Sequence, residues 1–310
     1  MRGHRRKFYP DTFQHIYQRA INHSVLFYST EDRLVFLTTY TIIAERYGVT
    51  TLALVLMFTH FHNLAKADTS QIMALVIGTV TSIYAKAFNR DSGRKGPLFW
   101  KAYSNAPKYK DKSVRTCIAY NYNNAVEKGL YLRAEQDRWN FLAYLESNSP
   151  FSEKLVRNRA TPRLRDALKE VDTFRKNKMY LSYNVIRRLY KRLSAKEKEQ
   201  LTDYIISAYL PIDKDALLSY YKSYDDMIIA INSNTGSEYD IKEMYVPETD
   251  KVYVEMLDIV SKSSYRNNPH SITSASAEKK KEIREMLLKR TNAKPYQVDA
   301  LLHIGNVSDK

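Results

Sequence analysis

The chain has 310 residues, of which 44% are hydrophobic and 27% charged, so it can bury a core and is long enough for two or three domains. Its net charge of +15 and pI near 9.5 favour a polyanionic partner, nucleic acid before an anionic membrane surface. The single cysteine, Cys117, excludes an intramolecular disulfide and fits a reducing cytosol. We find neither an apolar run of about 18 residues nor a signal peptide, and therefore expect a cytoplasmic protein with no membrane partner.

The first part of the chain alternates between strand and helix patterns. Residues 13–19 alternate apolar and polar side chains and predict a strand. Acidic residues followed by apolar residues at helical spacing, with Gly48 as a stop, predict a helix over 31–47. The continuous apolar run 51–58 has the length of a buried strand.

A tight turn at 58–59 leads into a further predicted strand over 60–67. Asp68 and Gln71 have the spacing of a capping box and predict the start of a long helix that ends near residue 89. A basic, glycine-containing loop follows, and then a short predicted strand over 98–103.

A predicted helix over 115–128 completes this region, which we assign to residues 1–150. The order β-α-β-β-α-β is that of a ferredoxin-like (RRM-like) domain, in which four antiparallel strands carry helices on one face. The sequence therefore predicts an α+β fold with one sheet face available to a ligand.

From about residue 151 the pattern is helical throughout, which predicts an all-α C-terminal region. Thr161 precedes a proline at the first helical position, and Ser194 opens a capping box. Residues 151–262 contain no motif that indicates a role, and docking of a partner protein is one alternative.

The polar segment 263–276 contains Pro269 and predicts a linker. Residues 277–310 then hold two short amphipathic helices separated by "TNAK". Their length and spacing suit a helix-turn-helix that binds DNA, and equally a plain terminal helical hairpin.

Two histidines, His60 and His62, stand at strand spacing in "THFHNL". Side chains two residues apart in a strand share a face, so the two imidazoles could chelate one divalent ion. Taken alone this pattern is weak, because paired histidines on strands are more often surface residues than ligands.

The helix near 115–128 adds a tyrosine and an amide. Tyr120 and Asn124 are four residues apart and therefore stack on one helical face. Tyr122 lies about 200° round the helix from Tyr120 and faces away. The chain has 25 tyrosines, and a catalytic role for any one of them is improbable in isolation. Only a tyrosine that is followed by an amide one helical turn later can offer a nucleophile and a ligand together.

Four segments in order resemble the HUH single-tyrosine transposases, in particular their REP-associated tyrosine transposase branch. They cover roughly residues 8–150 and are "ERYGVTTLALVLMFTHFHNL", "FNRDSGRKGPLFWKAY", "YNYNNAVEKGL" and "EQDRWNFLAY". The first ends in the family's His-hydrophobe-His pattern, and the third is similar to its tyrosine helix. The chain departs from the family pattern at the turn 58–59, at Asn63, at Tyr122 in place of a histidine and at Ala125 in place of a proline.

The resemblance implies a DNA transposase or single-strand endonuclease. By resemblance His60, His62 and Asn124 ligate Mg²⁺ or Mn²⁺, and Tyr120 attacks hairpin-forming single-stranded DNA to give a 5′-phosphotyrosine. The family further implies a bacterial, nucleoid-associated protein and is compatible with a homodimer. The alternative is a catalytically silent, domesticated HUH-like protein that binds nucleic acid without cutting it.

A basic segment between Arg90 and Arg115 predicts the DNA surface. Bases contact phosphates and aromatic rings stack on unpaired bases. The alternative is a solvated loop with some of its rings in the core. The predicted nucleic-acid-binding residues are Arg90, Arg94, Lys95, Trp100, Lys101, Tyr103, Lys108, Lys110, Lys112 and Arg115.

Overall fold

The computed structural model describes residues 7–100, 102–233 and 249–305. The strands of these residues are β1 (Phe13–Arg19), β2 (Thr50–Leu56), β3 (His60–Lys66) and β4 (Ser104–Lys108). The helices are α1 (Thr30–Arg46), α2 (Ser70–Ser92), α3 (Asp111–Glu127), α4 (Pro162–Lys176), α5 (Tyr183–Tyr190), α6 (Ala195–Ala208), α7 (Lys214–Leu218), α8 (Tyr224–Ser233), α9 (Lys251–Ser261), α10 (Ala277–Arg290) and α11 (Pro295–Leu302).

The four strands form one antiparallel sheet in the order β2-β3-β1-β4. The α+β class and the first three predicted strands are thereby confirmed, with boundaries that differ by at most two residues. In the centre of the sheet, Tyr17 of β1 lies opposite His62 of β3, and Arg19 lies opposite His60. Because opposed residues share a face of an antiparallel sheet, this register brings side chains of β1 next to the histidine pair.

The other face of the sheet carries the core beneath α1 and α2. The ring of Phe61 lies 4.9 Å from that of Phe36 on α1. Asn63, on the same face as Phe61, is fully buried and donates from its amide nitrogen to the Tyr40 hydroxyl at 2.7 Å. The pairing of β1 with β3 runs unbroken past Asn63. The polar residue after His62 is therefore accommodated by a partner on α1 and does not displace the histidines.

The fourth strand lies further along the chain than predicted. The described residues of 98–103 contain only an isolated bridge, between Phe99 and Ala20, and the strand proper is Ser104–Lys108. This is a polar edge strand that contains Pro107, whose missing N–H is tolerated at an edge. Its composition therefore gives little strand signal.

Two helix starts also differ from the prediction. The α2 cap is Thr69, not Asp68, since its hydroxyl accepts a hydrogen bond from the Ile72 N–H at 3.1 Å. The helix α3 begins at Asp111, one turn before the predicted start.

The C-terminal helices pack directly on the sheet and on α1. Thr161 and Ser194 cap α4 and α6 as predicted, each accepting from a backbone N–H in the first turn. Ahead of α7, the Asp213 N–H donates to the Thr51 carbonyl on β2 at 2.8 Å. One hydrophobic core runs from the sheet into these helices. The hydrophobic core is therefore continuous across residue 150, where the chain becomes helical.

The segment 263–276, predicted as a linker, is instead a packed part of the fold. It contains a 3-10 helix, Pro269–Ser274, and buries His270 between two carboxylates. The His270 Nδ1 lies 2.6 Å from Asp32 Oδ1 on α1, and its Nε2 lies 2.7 Å from Asp91 Oδ2 on α2. Its polar composition is that of a linker, but here the polar side chains find buried ionic partners.

The last two helices form a hairpin whose second member is largely buried. Val298, Leu301 and Leu302 of α11 lie in the core, and Arg284 of α10 donates to Asp299 at 2.6 Å. A recognition helix must present a polar face to the DNA groove. For residues 277–310, the helix-turn-helix and the plain terminal hairpin both stay predictions.

One helix, α2, could cross a membrane by length and composition, which the sequence survey did not single out. Its best 18-residue window has a mean hydropathy of 1.4. The helix buries Val76, Val80 and Tyr84, and a buried core helix passes the same test. The finding is weak support for a membrane span.

Stability should depend on the charge of His270. Burial disfavours its imidazolium, but attraction and hydrogen bonds from Asp32 and Asp91 outweigh that effect and raise its pKa to about 9. An unfolded histidine titrates near pH ~6.5, so the stabilisation is complete below that pH and is lost as pH rises through about 9. Urea unfolding should give a free energy that falls between these values in the wild type and changes much less in His270→Gln.

The matched control is His303→Asn. Burial lowers the pKa of His303 to about 3, so this histidine is neutral in both states above pH ~6.5 and should leave the pH dependence intact. If the free energy of unfolding depended on pH equally in wild type and His270→Gln, the assignment of a positive charge to His270 would be contradicted.

Candidate functional site

Three histidines meet on the sheet face opposite α1 and α2. The rings of His60 and His62 lie 4.9 Å apart, and the ring of His15 from β1 stacks on His62 at 5.2 Å. All three are buried. The predicted histidine pair is therefore part of a cluster and does not lie on the open surface.

Hydrogen bonds engage the Nδ1 atom of both members of the pair. His62 Nδ1 lies 3.1 Å from His15 Nε2, and His60 Nδ1 lies 3.0 Å from the Thr59 hydroxyl. If each Nδ1 carries the proton, the lone pair of each ring is on Nε2. This is the arrangement by which outer partners orient metal-binding histidines.

Tyr120 reaches the cluster from α3, which lies across this face of the sheet. Its ring is 5.5 Å from that of His15 and 5.6 Å from that of His62, and it is partly exposed. Tyr17 of β1 closes the other side, 5.0 Å from His62 and 5.2 Å from His60. His62 and Tyr120, nearly sixty positions apart in sequence, are thus in contact.

Asn124 follows Tyr120 by one turn and is buried. Its amide nitrogen donates to the Tyr120 carbonyl at 3.0 Å and to the Asn121 carbonyl at 3.3 Å. With the nitrogen held by the helix backbone, the side-chain oxygen is the atom that could serve a metal.

Tyr122 points away from the cluster, as the helical spacing predicts. Its hydroxyl donates to the Leu52 carbonyl at 2.8 Å, and the side chain is fully buried. Burial raises its pKa far above the usual value, with the neighbouring Tyr221 and Tyr224 adding to the effect. Tyr122 is therefore a core residue and not an alternative nucleophile.

His15 was missed by the sequence survey, although its signal is present in "FQHIYQR". The strand period places it with Tyr17 on one face, but nothing in the sequence pairs that strand with the histidine strand. Burial lowers its pKa well below 6.5, and electrostatic interaction with His62 and Lys108 lowers it further. His15 is accordingly a neutral imidazole near pH 7.

The predicted metal ligands His60, His62 and Asn124 would offer two imidazole nitrogens and an amide oxygen. Over 7–100, 102–233 and 249–305, no group of three or more His, Cys, Asp or Glu side chains is arranged to hold a metal. The predicted set of His60, His62 and Asn124 is of another kind, because its third donor is an amide. Neutral nitrogen and oxygen donors are compatible with Mn²⁺ or Mg²⁺.

The predicted DNA surface is only partly available. Arg94 is half-buried, and its guanidinium orders the loop by donating to Asn89 Oδ1 and to the carbonyls of Gly96 and Pro97. Tyr103 and Lys108 are buried, which corrects their assignment as surface residues.

The remaining residues of that surface divide into three groups. Trp100 is half-buried, and Lys101 lies outside the described residues. The exposed members are Arg90, Lys95, Lys110, Lys112 and Arg115. Three of these exposed bases stand at the start of α3, the helix that carries Tyr120.

Comparison with protein-family models and with curated proteins finds no match. Among solved structures, the chain is similar to one described as a REP-associated tyrosine transposase bound to a REP hairpin, with 14% sequence identity and a TM-score of 0.38. The match covers 46% of this chain and 82% of that chain. A similarity of this size carries no argument about function.

The neutral state of His15 can be observed directly. In metal-free protein, the ¹⁵N shifts of the His15 imidazole should keep their neutral values as pH falls from about 8 to about 5.5, because burial opposes protonation. The spectrum of His15→Gln assigns the resonance. Titration of His15 near pH ~6.5 would contradict its burial beside His62 and Lys108.

Proposed function

We propose that this protein is a metal-dependent tyrosine transposase or single-strand endonuclease that nicks and religates hairpin-forming DNA. The contact of the Tyr120 ring with His15 and His62, beside His60, carries the proposal. A hydroxyl nucleophile and a histidine pair from distant segments lie in one place, which a helix or strand alone would not produce.

The sheet supports the same assignment. A β-α-β-β-α-β chain with the strand order β2-β3-β1-β4 is consistent with a ferredoxin-like HUH domain over residues 1–150. Two helices cover one sheet face, and the other face holds the histidines beneath α3.

His60, His62 and Asn124 would hold Mg²⁺ or Mn²⁺ in this site. When bound, such an ion would supply Lewis acidity for phosphodiester cleavage. Around it, the His15 and Thr59 hydrogen bonds fix the orientation of the two imidazoles.

Tyr120 would perform the covalent step. Its phenolic oxygen loses a proton to solvent and forms a bond to phosphorus, the bond from phosphorus to the 3′ oxygen breaks, and that oxygen takes up a proton. The products are a 5′-phosphotyrosine and a free 3′-OH. Attack by another 3′-OH reverses the step and joins two strands without ATP.

Exposed bases support binding of the DNA strand next to the nucleophile. Lys110, Lys112 and Arg115 are exposed on or just before the first turns of α3, upstream of Tyr120. Such bases contact phosphates without reading sequence.

Phenylalanine substitutions at Tyr120 and Tyr122 distinguish the proposed nucleophile from a tyrosine that only stabilises the fold. With labelled single-stranded hairpin DNA and Mn²⁺, wild type should form an adduct that resists denaturant, and Tyr120→Phe should form none. Tyr122→Phe is the matched control: it removes the hydroxyl bonded to the Leu52 carbonyl, so it should lower stability by about 1 kcal/mol and keep the adduct.

An adduct that persists in Tyr120→Phe would exclude the mechanism. Hairpin binding with no adduct in the wild type would support the silent, DNA-binding alternative.

Calorimetric titration with Mn²⁺ tests the metal site independently of DNA. His60→Ala, His62→Ala and Asn124→Ala should each weaken binding about tenfold or more, since each removes a proposed ligand. His303→Asn is the control and should bind as wild type does, since His303 is a half-buried histidine bonded to the Val25 carbonyl, remote from the proposed ligands. Unchanged affinity in His60→Ala and His62→Ala would contradict the proposed ligand set.

A further inference from the structure

A small cavity opens beside the turn that precedes His60. It has a volume of about 240 Å³ and is lined mainly by apolar and aromatic side chains. Phe58 in its wall is two residues before His60, and Met57 packs against Ala125, which follows Asn124. The cavity therefore adjoins the candidate site at the ends of β2 and α3.

Two charged groups, Arg33 and Asp137, line this cavity and attract each other, but no hydrogen bond between described residues joins them. Arg33 is only 8% exposed and Asp137 only 4%. The Arg33 Nε has no hydrogen-bond partner among the described residues, and its guanidinium carbon lies 5.1 Å from the Phe58 ring and 5.2 Å from that of Trp139. Stacking uses the faces of a guanidinium and keeps its N–H donors for partners in its plane.

Asp137 provides the complementary acceptor. One of its oxygens accepts from the Trp139 N–H at 2.9 Å. Burial raises its pKa to about 6, and neither that bond nor the charge of Arg33 restores the ordinary value. Asp137 and Asp32 attract Arg33, but its buried Nε donor is not hydrogen-bonded to any described residue. An unbonded buried donor is costly, which indicates a ligand that supplies the missing acceptor.

We propose that this cavity, the Arg33–Asp137 pocket, binds one unstacked nucleobase of a single strand, with guanine preferred. A guanine ring offers two acceptors (O6 and N7) to a guanidinium and two donors (N1–H and N2–H₂) to a carboxylate. The rings of Phe58, Tyr131 and Trp139 give a base a stacking surface. A phosphate has only acceptors to offer and is repelled by Asp137.

The pocket shares with the proposed function a single-stranded DNA partner, but it requires neither the Tyr120 hydroxyl nor a metal ion. Its test therefore uses Tyr120→Phe protein without metal, so that failure of cleavage and failure of the pocket are distinguished. Fluorescence anisotropy compares labelled dT6 with the same hexamer carrying one central guanine, at fixed salt.

The guanine hexamer should bind about tenfold tighter or more. Arg33→Met and Asp137→Asn should each reduce this preference to about twofold or less and leave dT6 binding nearly unchanged. The control is Arg165→Met, which removes an exposed arginine of α4 and should change both affinities equally.

Thermal melting tests whether Arg33 serves the fold instead. Because the buried Nε of Arg33 bonds to none of the described residues, Arg33→Met should melt at or above the wild-type temperature. Equal affinity for the two hexamers would overturn the proposal. So would a guanine preference that survives Asp137→Asn, or a guanine preference that disappears when inorganic phosphate is added.

Discussion

The register between β1 and β3 is the constraint on which the rest of the molecule depends. With Tyr17 opposite His62, alternate side chains of the two central strands divide between two faces. Phe61 and Asn63 enter the core beneath α1, while His15, His60 and His62 collect on the opposite face. A shift of one residue in either strand would exchange these sets, placing imidazoles in the apolar core and phenyl rings in the site. Packing and site geometry are thus fixed by the same hydrogen-bonded ladder.

The helix α3 completes the candidate site on that sheet face. Because of the helical period, Tyr122 lies in the core, where its hydroxyl donates to the Leu52 carbonyl. Tyr120 lies on another side of the helix, partly exposed and in contact with the histidines. One turn later, the amide nitrogen of Asn124 donates to the Tyr120 carbonyl and so fixes the Asn124 side chain. Burial removes ten of the 25 tyrosines from chemistry, and position on α3 distinguishes Tyr120 among the remainder. The structure thus separates two tyrosines that are only two residues apart.

Local signals in the sequence predict much of this arrangement. The strands 13–19 and 60–66, the caps at Thr161 and Ser194, and the stacking of Tyr120 on Asn124 follow from spacing alone. Features that depend on partners distant in sequence were not predictable. His15 joins the site only through strand pairing, β4 is a polar edge strand, and His270 looks like part of a linker until two carboxylates from other helices surround it. Arg94, likewise, is basic in sequence but serves its own loop.

The central claim is that Tyr120 and the histidine cluster form one strand-cleaving site. The most direct measurement is peptide-mapping mass spectrometry of the wild-type protein after incubation with single-stranded hairpin DNA and Mn²⁺. The account predicts a nucleotide attached through a 5′-phosphate to the peptide that contains Tyr120, and to that tyrosine within it. Attachment to another residue, or DNA that is bound yet leaves every tyrosine unmodified, would contradict it.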